Sequence, residues 1–415
     1  PTPAYIRRQR QMCIRDSLKS VWDTVKPLPI ETVALDKCLG RWLARDVKAR
    51  AHSPRFEQSA MDGYAVRMAD VRGASPKKPV VLDVVDELPA GDQRTLTLKP
   101  GTTMKAFTGG RLPRGADAVV MKEYVTPGAG TASIAWKVGK GDHIRRVGEE
   151  YRRGDLILPA GLKVTPPVVG MIATLGLDRA VVRRLPTALV VTMGDELVAA
   201  GSKAGTGQIP DSNGPAVCAA LRSMGLVKVR HKRVRDKLPL LVKAMRDGLA
   251  RDDLVITVGG ASVGDYDFVH EARRELGVRD VFRKVAIKPG KPNLFGMHRG
   301  RVPVFGLPGN PVSALASLHQ LVRPAIERMA GAAAPSGLRV PVRLGRAVKQ
   351  APGRLGLLRG SLKLDGGALM AELATGQGSH MLSGLALADA LIEIPAETDG
   401  VKPGETVLAR VLDWS

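Results

Sequence analysis

Aromatic residues are scarce in this 415-residue chain, at 4%, which leaves few side chains on which nucleic-acid bases could stack. Cysteine is scarcer still. Cys13, Cys38 and Cys218 are isolated and odd in number, so they form neither a disulfide framework nor a zinc pattern, and they suit a reducing cytosol. Long apolar runs are missing: those at 188–192 and 254–258 are strand-sized and far short of a membrane span. Residues 1–16 lack the apolar stretch of a secretory signal, so a cytoplasmic protein with no membrane partner is expected. Acidic residues number 40 against 63 Lys and Arg, a net charge of +23. Basic residues such as Arg114, Arg183, Arg222, Arg251 and Arg346 are spread along the chain rather than massed in one arm. With so few aromatics, this reads as solvated surface plus a site for an anionic ligand, and nucleic-acid binding is disfavoured. No HExxH, paired CxxC, GxSxG or P-loop lysine motif occurs, which sets aside metalloprotease, serine hydrolase and Walker-type ATPase chemistry. His52, His231 and His270 are scattered and read as surface or packing residues.

What is present is a change of rhythm along the chain. Residues 1–16 fit nothing that follows and are expected to be a disordered leader foreign to the fold. Leu18, Val21, Trp22 and Val25 then make a helical stripe. Residues 17–52 together with 146–185 are expected to form a mixed N-terminal domain. Residues 53–145 are rich in Gly, Pro, Val and Thr with short alternating runs, which predicts an inserted β-rich domain. From Thr187 the pattern becomes β-α-β-α, so 186–330 is expected to be a doubly wound, mostly parallel sheet covered on both faces. Its last helix is expected over 314–329, and Asp211, Ser212 or Asn213 can cap an earlier one. A linker at 332–337 leads to residues 338–415, which alternate again with turns at Pro352-Gly353, Asp365-Gly366-Gly367 and Pro403-Gly404. A small C-terminal β-domain of barrel type is expected there. The fold class is thus α/β and multidomain.

Several strand ends carry chemistry. Leu307-Pro308-Gly309-Asn310-Pro311-Val312-Ser313 fixes the backbone where a strand turns into a helix, the junction at which open α/β sheets bind ligands. Gly194-Asp195-Glu196, Asp236 and the run Gly259-Gly260-Ala261-Ser262-Val263-Gly264-Asp265, followed by Asp267, close three other strands. Each acid alone reads as a helix cap. Together they lie at the carboxyl edge of one parallel sheet, where carboxylates converge and repel unless a divalent cation or a proton intervenes. Lys288-Pro289-Gly290-Lys291-Pro292 adds two ammonium groups on a stiff loop, a cradle for phosphate or another oxyanion or else a solvated turn. In the β-rich stretch, Asp62-Gly63 reads first as a hairpin turn. Thr108-Gly109-Gly110 reads as a turn or as a hydroxyl and two exposed amides facing an anion.

In order along the chain stand SAMDGYAV (59–66), TGG (108–110), MGDELV (193–198), GQIPDSN (207–213), GGASVGDYD (259–267), IKPGKP (287–292) and GLPGNPVSA (306–314). This set resembles molybdopterin molybdenumtransferase, the MoeA family that includes the C-terminal domain of gephyrin, over residues 17–413. The resemblance implies an elongated dimer of four-domain protomers. It also implies that adenylylated molybdopterin and molybdate are converted, with Mg²⁺, to molybdenum cofactor and AMP. By residue-to-residue match it assigns Asp62, Glu196, Asp236 and Asp267 to catalysis, with Glu196 and Asp267 at the metal. Thr108, Gly259, Gly260, Ser262, Lys288, Lys291, Pro308, Gly309, Asn310 and Pro311 fall to substrate binding, with Lys288 and Lys291 at phosphate and 308–311 shaping the molybdate pocket. Asp62 and Thr108 are implied to serve the partner protomer's site, and contact with molybdopterin adenylyltransferase is implied as well.

Three positions depart from the family pattern. Glu57-Gln58 replaces Asp-Asn, Met193 replaces a hydroxyl residue before GDEL, and Gly148-Glu149-Glu150 replaces GED. Two other functions compete: an ATP-using molybdopterin adenylyltransferase, which shares the GGxSxG-type α/β domain, and a non-catalytic scaffold. The insertion at 53–145 and the terminal β-domain favour the molybdenum insertase.

Overall fold

Apolar runs of five or six residues, buried at every position, build the central sheet. In the computed structural model, which describes residues 11–260 and 268–413, its order is Val229–Val234, Ala188–Met193, Leu254–Val258, Val302–Leu307, Pro292–His298, Val278–Lys284. The first four strands are parallel and the last two antiparallel. Side chains alternate between faces: Ala188 and Val190 join one core cluster with helix residues Val217 and Leu221, while Leu189 and Val191 join another with Leu241 and Met245. The expected doubly wound, mostly parallel sheet is therefore present. The chain leaves Ala188–Met193 for Val229–Val234 on one side and returns to Leu254–Val258 on the other. The ends of Ala188–Met193 and Leu254–Val258 thus flank a topological switch point, where such sheets bind ligands.

The helix expected over 314–329 is broken into Pro311–Ser317, a π-helical turn Leu318–Val322, and Arg323–Ala330. Pro324 explains the interruption, since it has no N–H to donate to the carbonyl of residue 320. The N-terminal helix spans Ile14–Thr24, opening ahead of residue 17, and buries Val21 in the first of those clusters. No helix among the described residues is long and apolar enough to cross a membrane.

The C-terminal strands close on themselves. Leu355–Asp365 pairs Ala368–Leu373, then Arg339–Leu344, Thr406–Val411 and Ala390–Ile394 follow, and the last pairs back onto Leu355–Asp365. This is a closed five-stranded barrel, matching the barrel-like domain expected. Ile287–Lys288 adds in parallel at Leu355 and Gly356, so the lysine loop is stitched to the barrel.

The chain divides into two compact units. One holds the described residues up to Arg45, Ala160–Gly170 and those from Asp178 onward. The other comprises Asp46–Pro159 and Met171–Leu177. The second contains a six-stranded, mostly antiparallel sheet in the order Ala118–Met121, Gly63–Val66, Thr102–Ala106, Val80–Leu88, Thr131–Ile134, Val125–Pro127. Apolar clusters lie around Val120 and Ile134 and around Met104 and Val119.

Candidate functional site

Two cavities in the larger unit share the loop at 308–311. The first, about 1030 Å³, sits at the switch point and is lined by Asp195, Glu196, Asp211, Asn213 and Asp236 with Gly259 and Gly260. The second, about 650 Å³, is lined by Lys288, Lys291, Arg346, Lys349 and Arg354. Pro292, Pro308 and Asn310 line both. One wall thus separates a carboxylate-bearing space from a cationic one.

The first cavity is built by strand ends. Asp236, expected from sequence to serve as a helix cap when taken alone, does not cap the helix Leu238–Arg251 that follows it, because among the described residues no side-chain cap bond forms there. Instead its carboxylate accepts from the backbone N–H of Asp195 at 3.4 Å, and its own N–H donates to Asp195 Oδ1 at 3.3 Å. Burial pushes the Asp236 carboxyl above the usual range, and the charges of Asp195 and Glu196 push it further, against the opposing bond from the Asp195 N–H. The two glycines are required by geometry. Gly259 has φ +88, and a Cβ there would lie 2.8 Å from the Met193 carbonyl oxygen. The α-carbon of Gly259 lies 3.5 Å from the point a Cβ on Gly309 would occupy, so the two loops touch backbone to backbone.

A buried network holds the floor. Thr192 Oγ1 donates to Asp211 Oδ2 at 2.6 Å, His231 Nε2 lies 2.8 Å from Thr192 Oγ1, and the Gly214 N–H donates to Asp211 Oδ1 at 2.8 Å. Burial alone would raise the Asp211 carboxyl, but the bonds from His231, Thr192 and Gly214 outweigh it and hold the group below its ordinary value. Asp211 thus takes up an N–H in the first turn of the helix Asn213–Ser223 while lying 3% exposed. Asn213 Nδ2 donates to the Gly309 carbonyl at 2.6 Å. Among the described residues its Oδ1 is buried without a partner, an acceptor left for a ligand donor.

The lysine loop of the second cavity is pinned by Asn293, which is 1% exposed and donates to the Gly290 carbonyl and, at 2.9 Å, to Ser317 Oγ. Asn310 Nδ2 donates to Ser379 Oγ at 2.9 Å, and the Val312 N–H donates to the Ser379 carbonyl at 3.1 Å. Five cations from segments remote in sequence face one space, an arrangement suited to an oxyanion.

In the smaller unit, Asp62 Oδ1 accepts from the Thr108 N–H at 2.9 Å and from Thr108 Oγ1 at 2.8 Å. These bonds, with Lys122 Nζ 3.7 Å away, hold the carboxyl below the usual range against a modest opposing desolvation. Of the two readings of Thr108-Gly109-Gly110, the turn is the one present: Gly109 donates to the Ser59 carbonyl and Gly110 to that of Phe107. Thr108 and Asp62 are the groups left outward. Gly63 is forced by packing, since a Cβ would fall 2.0 Å from the Val120 carbonyl oxygen. A separate hollow of about 420 Å³ is lined by Ser53, Arg145, Glu149 and Glu150.

The structure thus brings Glu196, Asp236, Gly259, Gly260, Pro308, Gly309, Asn310 and Pro311 to one cavity. Lys288 and Lys291 lie at its neighbour, and Asp62 is paired with Thr108. Asp267 and Ser262 lie outside the described residues. Asp195 lines the cavity too, in the Gly194-Asp195-Glu196 strand end singled out from the sequence, whereas sequence reasoning missed Asp211 and Asn213 as lining residues, although GQIPDSN was itself a signal. It also missed Arg346, Arg354, Ser379 and His380, which only the folded barrel brings here.

Three family profiles match in succession. They are the MoeA N-terminal region (domain I and II) over residues 12–176, a probable molybdopterin binding domain over 189–328, and the MoeA C-terminal region (domain IV) over 341–412. The chain is 30% identical over 402 residues to a molybdopterin molybdenumtransferase of Staphylococcus epidermidis, covering 97% of this chain and 96% of that one. It is 36% identical over 379 residues to molybdopterin molybdenumtransferase 2 of Mycobacterium tuberculosis, covering 90% and 93%. A crystal structure of the molybdopterin biosynthesis MoeA protein of Pyrococcus horikoshii superposes with a TM-score of 0.84 at 27% identity, over 97% of this chain and 100% of that one. By its sequence over nearly its whole length, and by its fold, the chain belongs to the MoeA family of molybdopterin molybdenumtransferases.

Proposed function

We propose that this protein inserts molybdenum into molybdopterin: it takes adenylylated molybdopterin and molybdate and yields molybdenum cofactor and AMP. The observation that carries the reading is the pair of cavities divided by Pro292, Pro308 and Asn310, one carboxylate-lined at the switch point and one lined by five cations. The reaction joins two anions, which would repel each other in water, and it cleaves a phosphoanhydride. Lys288 and Lys291 neutralise the phosphate charge that grows as AMP leaves, and the cationic cavity takes molybdate. The loop at 308–311 shapes the wall between the reactants, and Gly259 and Gly260 let the substrate approach the backbone closely.

The carboxylates fit a divalent cation. Asp236 is held out of its ordinary range in part by the charges of Asp195 and Glu196, a repulsion that a cation would relieve. Glu196, with Asp236 and with Asp267 by family match, would hold Mg²⁺. Among the described residues no ready-made cage of three such ligands exists, so substrate phosphate oxygens would complete the shell, as is usual for this ion. Bound there, Mg²⁺ would supply charge neutralisation at the anhydride.

By family resemblance we further propose a homodimer in which Asp62 and Thr108 complete the partner protomer's site. We also propose that the substrate is received from a molybdopterin adenylyltransferase. A cytosolic setting suits the three free cysteines.

The test is AMP release from purified protein, adenylylated molybdopterin, molybdate and Mg²⁺ without ATP. Release that depends on molybdate supports the reading. No release, with adenylylation of free molybdopterin once ATP is added, would replace insertase by adenylyltransferase.

A further inference from the structure

His231 stands in the edge strand Val229–Val234, opposite Val190 of the neighbouring strand, with Thr192 its diagonal neighbour on the same face. Its ring fills the space that a side chain at Gly214 would take: a Cβ there would lie 2.3 Å from both Cε1 and Nε2 of the imidazole. The polar groups that meet beneath the switch-point cavity fix one another's hydrogens. The Asp211 carboxyl is held below its ordinary value, so at neutral pH it is ionised and can only accept. Thr192 must then give its hydroxyl proton to the bond with Asp211 Oδ2, at 2.6 Å. That leaves the Thr192 oxygen as the acceptor for His231 Nε2, 2.8 Å away, and this nitrogen must carry a hydrogen. Nε2 also lies 3.3 Å from Asp211 Oδ2. The bonds therefore run in one direction, from the edge strand through Thr192 to Asp211. Among the described residues no arginine or lysine pairs with Asp211.

What Asp211 holds is the chain around the cavity. Its Oδ1 takes the Gly214 N–H at 2.8 Å, closing the turn 211–214. Its own N–H donates to the Val198 carbonyl at 2.9 Å, and the Ile209 N–H donates to the Glu196 carbonyl at 2.8 Å. Leu197–Val198 and Ile209–Pro210 are thereby paired in parallel. Within the turn stands Asn213, which ties down the Gly309 carbonyl and, among the described residues, keeps a buried Oδ1 without a partner. Glu196, Asn213 and Gly309 all line the cavity, and all depend on the place of one carboxylate. A carboxylate this deeply buried keeps its place only while donors satisfy it.

We propose that His231 is a positioning residue for adenylylated molybdopterin. By donating through Thr192 it fixes Asp211, and with it the turn 211–214 and the segment 196–198, so that Asn213 and Glu196 present their oxygens to the bound substrate. The inference rests on placing that substrate in the switch-point cavity. His231 does not line the cavity; it acts through Thr192 and Asp211.

The experiment is equilibrium dialysis of the full chain against adenylylated molybdopterin, with steady-state kinetics beside it. His231→Leu, which keeps bulk and removes the donor, is expected to weaken that binding and to raise the KM for adenylylated molybdopterin by about tenfold, the scale of one lost bond in a charged network. The KM for molybdate should stay within about twofold, a split that general unfolding would not produce. His231→Gln, whose amide N–H can stand in for that of Nε2, should recover most of the loss. Thr192→Val should copy His231→Leu, and the double variant should be little worse than either single one, because both break the same chain of bonds. If His231→Leu does not fold, Thr192→Val, which keeps the shape, is compared with Thr192→Ser, which keeps the hydroxyl. Weaker binding in the valine variant alone supports the proposal. Folded His231→Leu with wild-type binding overturns it, as do equal binding by the two Thr192 variants and a double variant whose losses add. If the wild type binds adenylylated molybdopterin but releases no AMP, the proposed reaction falls while the dialysis comparison still decides this inference. Absence of binding by the wild-type chain would overturn the assignment of the cavity, and this inference with it.

Discussion

Asn213 Nδ2 donates to the carbonyl of Gly309 at 2.6 Å, tying the loop that follows one central strand to the loop that follows another across 96 residues of sequence. The bond sets the width of the switch-point cavity, because both loops line it. Asn213→Ala should leave the sheet intact and cost about 1 kcal/mol of stability, the net worth of one such bond. The larger effect is expected in catalysis. With the 308–311 loop released, turnover should fall by about tenfold or more, since misplacement of a positioning loop acts directly on the reacting geometry. Molybdate-dependent AMP release, read beside a urea melt, separates the two. A variant with normal turnover would remove this bond from the argument.

Asp236 makes a prediction about pH. Its folded-state carboxyl is raised, so protonation favours the native state. The group's contribution to stability is therefore complete below the ordinary carboxyl pKa and is lost as pH rises through the higher folded value. At neutral pH without a divalent cation, the ionised group is a liability. Asp236→Asn should then melt slightly higher than wild type, by less than about 1 kcal/mol after allowing for solvent screening. Turnover should fall sharply. Mg²⁺ should stabilise the wild type more than the variant. A lower melting temperature for Asp236→Asn at pH 7 would mean that its bond with Asp195 outweighs the repulsion.

Much of the sheet was legible because a fully buried parallel strand leaves a plain trace, a short apolar run closed by Gly or an acid, as at Ala188–Met193 and Leu254–Val258. The switch point followed from element order alone. What could not be read were relationships that only folding creates. Nothing in the spacing joins Arg346 and Arg354 to Lys288, because the parallel pairing of Ile287–Lys288 with Leu355 and Gly356 is what brings them together. His231 sits in a strand crowded with basic residues and reads as surface, and its partner Thr192 is brought near by the parallel register of the two strands. Arg359 looks like the polar face of a barrel strand, and barrel closure is what buries it. The Gly109 and Gly110 amides left two readings open, a turn or an anion contact, because the carbonyls that take them up, those of Ser59 and Phe107, are set by turn geometry rather than by composition.

Two glycines with similar backbone angles separate strain from crowding. Gly259 has φ +88 and a carbonyl oxygen 2.8 Å from where a Cβ would be, whereas Gly277 has φ +67 and open space. Both substitutions to Ala incur the left-handed penalty, about 1–2 kcal/mol. Gly259→Ala must also displace the backbone of Met193, so its loss of stability should exceed that of Gly277→Ala by about 1 kcal/mol or more. Only Gly259→Ala should impair AMP release, since only Gly259 lines the cavity. Paired denaturation curves check the first expectation. Equal losses would show that the loop yields at no cost.

Asp62 and Glu196 belong to different compact units, and the dimer proposed above makes each the contribution of a different protomer to one site. That arrangement can be tested by complementation. Asp62→Ala should nearly abolish turnover, because the carboxylate, with its two bonds from Thr108, is among the groups the smaller unit turns outward. Glu196→Gln should do the same by removing a metal-binding charge. If the two residues meet across a twofold interface, a mixed dimer has one site carrying both substitutions and one carrying neither. Equal mixing then yields half mixed dimers with half their sites intact, so activity should return to about a quarter of wild type after subunit exchange. If both residues serve a site within one protomer, every protomer in the mixture carries a defect and no activity returns. Turnover of the mixture against each variant alone, with the dimer confirmed by sedimentation, decides between the two arrangements.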